Sequence, residues 1–483
     1  MWFRRDLRLA DNPALQALLD NGHTPVPVYI HDEPDPDWPL GSASAWWLHH
    51  SLLSLRDSLR QRGSKLLVVS GESLRILLRL VDSTGATGVY WNRCYEPALI
   101  ERDKGIRKAL GEKGIETCSY SGLLLREPWQ HLKKDGTPYR VFTPFWKALS
   151  GSGPSRAVIE PAGRLAAVRV DTLCTVQEVE ALDLLPAVDW DRSFYEHWEP
   201  GEDGAWNTLN GFTDNAALDY TSSRDIPAEP ATSCLSAHLH FGEISPVQVW
   251  DFMHHWASIS TDNGAYAAAE AFLRQIGWRE FSHHLLYHFP DTTLHPLDAR
   301  FEHFPWRSDY GAELVRWQKG RTGIPMVDAG MRQLWATGYM HNRVRMIVAS
   351  FLTKNLLIPW QEGARWFWDT LVDADLANNT AGWQWTAGCG ADAAPYFRVF
   401  NPVLQGERFD KQGQYVRHWV PELAKLPDKY IHRPWTADAT VLAGAGIRQG
   451  LDYPEPLVDL PASRKAALQA WESVKQGSRI QLR

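Results

Sequence analysis

The sequence predicts two folds in series: an N-terminal α/β domain on a parallel sheet and a C-terminal domain that is nearly all α, with a long linker between. Three observations carry this. Short β-rich runs alternate with helical stretches over the first third, the pattern of a parallel sheet covered by helices on both faces. From about Leu125 to Asp203 that pattern dissolves, as expected of a connector laid over the surface. From about Trp206 to Asp459 helical spacing takes over. At 483 residues the chain is too long for one ordinary core. The divisions fall at 1–125 for the α/β domain, 126–205 for the linker, 206–465 for the helical domain and 466–483 for a tail.

In chain order, Trp2–Phe3 reads as the tail of a first strand, and a chain beginning there has lost most of that strand. Pro25–Ile30, Lys65–Ser70, Gly88–Trp91 and Ile115–Ser119 follow as further strands. Helical stretches at Ser42–Arg62, Glu72–Val81 and Pro97–Lys113 separate them. Such a sheet binds ligands, often nucleotides, at the carboxyl ends of its strands, yet no GxGxxG or Walker loop is present. The linker is punctuated by Gly151-Ser152-Gly153-Pro154 and Pro161-Ala162-Gly163. Beyond it, Ala269–Phe289 reads as a helix closed by Pro290, and Arg332–Leu357 as one closed by Pro359. Ser463–Arg483 reads as a polar helix with a short tail.

Composition narrows the function classes. The 44% apolar and 22% charged content is that of a soluble globular protein. No run of about 18 uncharged apolar residues predicts a membrane span, and the start lacks the apolar core of a secretory signal. The five cysteines, Cys94, Cys118, Cys174, Cys234 and Cys389, form no CxxC pair. Reduced thiols, a cytoplasmic address and no structural zinc follow. A net charge of −7 argues against a nucleic-acid binder only on average. From Leu314 to Lys354, Arg316, Lys319, Arg321, Arg332, Arg343, Arg345 and Lys354 face a single acid, Asp328, which is enough for a phosphate-tracking patch and equally a solvated basic face. The 24 tryptophans offer stacking surface for planar ligands, although most tryptophans simply pack a core.

No GxSxG elbow or HExxH motif is present, and the adjacent His283 and His284 face different ways on a helix, a poor metal pair. The chemistry must then come from a cofactor. Three segments set polar groups beside aromatics. In EAFLRQIGWREFSHHLL, Gln275, Trp278, Arg279 and Ser282 share one helical face. In GYMHNRVRMIVASF, Asn342, Arg345 and Met346 share a face while Arg343 points elsewhere. In LVDADLANNTAGWQW, Asp373 and Asp375 precede Asn378, Asn379, Trp383 and Trp385. The paired acids suit a helix cap, a metal, a ribose hydroxyl or a pairing with Arg345. Together the segments describe a pocket for a large planar polar ligand.

MHNRVRM, WFWDTLVDADLANNTAGWQW, GADAAPYFRVFNPVLQGERFD and TSCLSAHLHFGEISP resemble the DNA photolyase/cryptochrome superfamily, and the resemblance runs from WFRRDLRLADN to the helical C-terminus. It implies a Rossmann-like domain, a linker and an all-helical domain holding FAD in a folded form. Tyr220, Thr232, Ser233, Leu235 and Ser236 fall at the family's phosphate-holding positions. Gln275, Arg279, Asn342, Arg345, Asp373 and Asp375 fall at its flavin-binding positions, and Asn379 beside flavin N5. Trp383, Trp360 and Trp306 match the tryptophans that photoreduce the flavin. Trp278, Met346 and Trp385 match positions at a flipped-out lesion, and Arg224, Arg343 and Arg398 match positions facing DNA. The implied activity is light-driven splitting of pyrimidine dimers, by a protein that acts on DNA as a monomer without a membrane or a metal.

Departures from the family pattern keep alternatives open. Gln275 stands where enzymes for cyclobutane dimers typically carry Glu, and Gln is common there in (6-4) photolyases and animal cryptochromes. Asn342 and Met346 occupy positions where (6-4) enzymes carry two histidines, so the acid that reaction needs is missing. The cyclobutane dimer is therefore the expected substrate. Ala98 and Leu99 replace the Asn and Glu of folate-binding members, which weakens methenyltetrahydrofolate as the antenna and leaves a deazaflavin, a second flavin or no antenna open. A cryptochrome-type photoreceptor is the main rival, and a light-independent flavoprotein oxidoreductase the second.

Overall fold

The computed structural model describes residues 1–161, 163–166, 176–393 and 397–481. Cys174 lies outside the described residues; Cys94, Cys118, Cys234 and Cys389 are in no disulfide among them. The chain forms two compact units. The first comprises Met1–Leu218, Ser233–Pro290 and Val372–Ala377, and the second Asp219–Thr232, Asp291–Leu371 and Asn378–Arg483.

In the first unit, β1 (Trp2–Phe3), β2 (Val28–His31) and β3 (Leu67–Ser70) form a parallel sheet in that order. A parallel pair, β4 (Gly88–Asn92) and β5 (Glu116–Tyr120), stands beside it. Each expected β-rich run thus overlaps a strand, with β2, β4 and β5 running one residue further. Helices α1 (Pro13–Asp20), α2 (Ser42–Gln61), α3 (Ser73–Thr84) and α4 (Pro97–Glu112) alternate with the strands. Successive strand residues point to opposite faces, and both faces are apolar. Trp2, Val28, Ile30, Leu67 and Val69 pack in one core with Ile76, Leu77 and Leu80 of α3 and Leu110 of α4. Phe3, Tyr29 and Val68 pack in the other with Trp46, Trp47, Leu52 and Leu55 of α2. Strands buried on both faces are apolar along their length rather than alternating. Each fully buried large side chain contributes about 1.5–3 kcal/mol.

The linker reading needs one correction. Phe142–Ser152 is a regular helix, although no long periodic segment was expected there. Its apolar groups, Phe142, Phe145, Trp146 and Leu149, sit at helical spacing but span only two turns of sequence. It packs on the Ala265–His288 helix, and a Cβ at Gly277 would collide with the Trp146 indole. Glycine is required there by close helix approach rather than by backbone freedom.

In the second unit the expected Arg332–Leu357 helix is three pieces. Pro325–Thr337 ends at Gly338, whose φ of 66° is left-handed; Asn342–Ser350 restarts the helix, and Phe351–Asn355 is a π-turn. The hydrophobic period runs through the break, which hides it from the pattern. Asp328 anchors the first piece, accepting from the Thr322 amide and hydroxyl at 2.6 Å each and from the Tyr453 hydroxyl at 2.7 Å.

Candidate functional site

The first unit supplies three groups of the expected residues. Ser233 and Leu235 flank Cys234, whose φ of 52° kinks the chain into the Ser236–Phe241 helix, and the Leu235 amide reaches the Ser233 hydroxyl at 3.5 Å. The Ala265–His288 helix carries Gln275 and Trp278, both half-buried, with Arg279 and Ser282 buried. Arg279 donates to the Leu123 carbonyl at 2.7 Å and the Leu239 carbonyl at 3.3 Å, which locks its guanidinium in place. Trp278 lies on Phe142 with ring centroids 3.6 Å apart and planes 9° from parallel.

Asp373 and Asp375 lie in the Val372–Ala377 segment of the same unit, and both are buried. Asp375 Oδ2 is 3.1 Å from His240 Nδ1 and 3.6 Å from His283 Nε2. Burial opposes its ionisation, but His283, His240 and Arg279 around it outweigh that and hold the carboxyl well below the usual range. Burial holds His283 down at about 4 and lowers His240 as well. The His283 Nδ1–H donates to the Arg279 carbonyl at 3.0 Å. The result is an ionised carboxylate fixed by His240, with His283 and Arg279 nearby. In the sequence His283 figures only as half of a poor metal pair, and His240 is not singled out.

The second unit holds the rest. Tyr220 is buried under the Arg224 guanidinium, 5.6 Å from its ring centre, and Thr232 follows at the end of the same segment. On the Asn342–Ser350 helix, Asn342 is exposed and Met346 half-buried. Arg345 donates to the Met340 carbonyl at 2.6 Å and lies over Tyr339. Arg343 does point elsewhere, pairing with Asp225 at 2.9 Å over the Phe409 ring.

Asn379 and Trp383 share a face of the Leu376–Ala387 helix. The Asn379 Nδ2 donates to the Ala364 carbonyl at 2.9 Å, which leaves Oδ1 as its acceptor. The Thr380 hydroxyl and the Trp383 indole N–H are buried on that helix without a partner among the described residues. Trp383 packs edge-on against Phe367 at 5.0 Å and Trp317 at 6.2 Å, and a Cβ at Gly363 would strike its ring. Trp360 is buried at the start of the Trp360–Thr370 helix, while Trp306 is half-buried against Phe304 at 4.3 Å. Trp385 donates to the Asp392 carbonyl at 3.1 Å, and Arg398 is exposed.

Buried donors without partners among the described residues suit a ligand that brings its own acceptors. Two family models match the chain: DNA photolyase over residues 1–162 and the FAD binding domain of DNA photolyase over residues 272–473. A deoxyribodipyrimidine photo-lyase of Agrobacterium fabrum is 48% identical over 99% of this chain and 98% of its own length. The chain belongs to the DNA photolyase family. As a photolyase-family enzyme it carries FAD in its helical domain, and the donor set above fits that group. A crystal structure of a bacterial class III photolyase from Agrobacterium tumefaciens superposes with a TM-score of 0.93 at 48% identity, covering 98% of this chain and 97% of that one. Cryptochrome-2 of Arabidopsis thaliana is more distant, 39% identical over 97% of this chain and 78% of its own length. The photolyase from Sulfolobus tokodaii, solved with two FAD molecules, gives a TM-score of 0.81 at 30% identity over 98% of this chain and 99% of that chain. Among the described residues no helix is long and apolar enough to cross a membrane.

Proposed function

We propose that this protein splits cyclobutane pyrimidine dimers in DNA under blue light, acting as a monomer in the cytoplasm. Reduced FAD, when bound, supplies the light-driven electron that opens the cyclobutane ring and takes it back afterwards. This chain's own residues bind, orient and exclude water. The observation that carries the reading is the Leu376–Ala387 helix, which sets the Asn379 acceptor, the Thr380 hydroxyl and the Trp383 N–H within about one turn, the last two buried without partners among the described residues. Asn379, held by the Ala364 carbonyl, would present its Oδ1 as a hydrogen-bond acceptor to the flavin. Tyr220, Thr232, Ser233, Leu235 and Ser236 take the phosphates, and Gln275, Arg279, Asn342, Arg345, Asp373 and Asp375 take the remaining polar edges. The ionised Asp375 suits ribose hydroxyls, which donate to a carboxylate.

A dimer inside the duplex is out of reach, so it is swung into the pocket, at a cost of a few kcal/mol that is smallest for damaged bases; photolyases are a standard instance of this step. Trp278 and Trp385 stack on it, Met346 packs beside it, and Gln275 and Asn342 donate hydrogen bonds to it. Arg224, Arg343 and Arg398 hold the flanking phosphates. Trp383, Trp360 and Trp306 would relay electrons from an external reductant toward the flavin. The absence of imidazole at Asn342 and Met346 disfavours the (6-4) lesion.

The test is illumination of the reduced, purified protein with an oligonucleotide bearing one thymine dimer. Recovery of absorbance in the band of intact bases, together with release of the DNA, supports repair. Flavin photochemistry without loss of the dimer overturns this reading and leaves a photoreceptor.

A further inference from the structure

Lys354 belongs to the π-turn Phe351–Asn355 of the second unit, and only 1% of it is exposed. An ammonium carries three N–H donors. Here one reaches the Arg398 carbonyl at 3.4 Å, and the nitrogen lies 3.5 Å from the centre of the Phe397 ring. No carboxylate pairs with it among the described residues. The neighbouring Cys389 offers no countercharge, because burial pushes its thiol up to about 12. A buried cation so poorly compensated sheds its proton readily, and burial brings Lys354 down to about 7.

The amine borders a cavity of about 230 Å³ whose wall also includes Asp298, Arg300, Trp385, Phe397 and Arg398. Arg300 Nε donates to Asp298 at 2.8 Å. Those two charges offset each other, which leaves the positive charge of Arg398 as the wall's excess. So little of Lys354 is exposed that its nitrogen is open to a small uncharged molecule in the cavity and closed to a peptide or a nucleotide.

We infer that Lys354 is a carbamate-forming lysine that takes up carbon dioxide in this cavity. The lone pair of the neutral Nζ attacks the carbon, one C=O electron pair moves onto oxygen, and Nζ releases a proton to solvent. An amine and carbon dioxide thus become a carbamate anion and a proton, with nothing oxidised or reduced. The product exchanges a poorly paired buried cation for an anion on a wall with excess positive charge. A simple inorganic anion is the competing occupant, and its pH dependence is opposite. It pairs with the ammonium and is lost as pH rises through about 7, whereas the carbamate grows in over the same range. The site depends on neither the flavin nor DNA.

In the experiment, full-length holoprotein is equilibrated with isotopically labelled bicarbonate, or with chloride at matched ionic strength. A trialkyloxonium salt then traps any carbamate as its ester, and peptide mass spectrometry locates the label. At about pH 8 an amine with a pKa of about 7 is mostly neutral, whereas an ordinary lysine near 10.4 is neutral in about one molecule in 250. Label at Lys354 should therefore exceed label at the exposed Lys319 by at least about tenfold, and should fade below about pH 6. The lysine of the unfolded chain stays protonated, so bicarbonate should also raise the unfolding temperature at about pH 8. Lys354→Met should remove that rise, and Lys319→Met should keep it. Label absent from Lys354 in the unmodified protein, or no greater there than at Lys319, overturns the inference whatever the variants do. Stabilisation by bicarbonate that is strongest below about pH 7 assigns the cavity to a simple anion and overturns it as well.

Discussion

The Trp278 indole lies flat on Phe142, with 3.6 Å between centroids and 9° between planes. A ring expected to receive a lesion is thereby supported from behind by a residue of the 126–205 segment. Aromatic pairs are worth about 0.5–1.5 kcal/mol beyond their buried area. Phe142→Leu should therefore weaken binding of dimer-containing DNA by about 2- to 10-fold, with undamaged DNA unaffected. Competition binding on the two duplexes checks this; equal weakening of both would show that Phe142 acts on the fold rather than on Trp278.

That support was not legible in the sequence, and the reason is physical. Strand and helix alternation, the buried faces of the sheet and the Ala265–His288 helix follow from local periodicity, so they were readable. The resemblance placed Gln275, Arg345, Asp375 and Asn379, but it said nothing about what holds them. Their supports, His240 for Asp375, the Ala364 carbonyl for Asn379 and the Leu123 and Leu239 carbonyls for Arg279, are far away in sequence. Gly338 breaks a helix without breaking its hydrophobic period. Lys354 read as one more member of a basic patch, and only burial separates it from the others.

Lys354 is buried, with its ammonium 3.4 Å from the Arg398 carbonyl and 3.5 Å from the Phe397 ring centre. Burial brings its pKa down to about 7. Between that value and the ordinary one near 10.5 the unfolded chain binds a proton that the folded chain does not. Stability must then rise with pH across this window, by up to about 1.4 kcal/mol per unit. Below pH 7 the full penalty of a buried charge is present. Lys354→Met should raise the denaturant midpoint at pH 6 and flatten its climb between pH 7 and 10, as urea titrations at a series of pH values would show. A lower midpoint at pH 6 would contradict the assignment.

Glu280 behaves in the opposite sense. Its Oε2 accepts from the Leu125 amide at 2.9 Å and the Arg126 amide at 3.4 Å, and its Oε1 is buried without a hydrogen-bond partner. Burial pushes the carboxyl up to about 7. The folded state here holds the extra proton, so its stabilising effect is complete below about 4.5 and is lost as pH rises through 7. Glu280→Gln should keep the backbone bonds and remove the decline between pH 5 and 7. Thermal unfolding followed at both ends of that interval gives the answer: the unmodified protein should lose ground relative to the variant as pH rises, and a constant difference would refute the shift.

Gln275 is the sharpest departure from the family pattern. A protonated carboxylic acid can give both a hydrogen bond and a proton to a reduced pyrimidine dimer, whereas a carboxamide gives the hydrogen bond alone. Gln275 is half-buried on the same helix as Trp278, three residues and nearly one turn away, which puts both side chains on one face. Gln275→Glu should therefore keep or raise the number of dimers split per absorbed photon, by up to about threefold at acidic pH, where the introduced acid is protonated. That gain should fall off as pH rises through the range in which the acid ionises. The chain already carries an ionised carboxylate at Asp375, so the new acid must stay neutral to help. A sharp loss of splitting at pH 6 with DNA affinity unchanged would mean that residue 275 does not face the lesion.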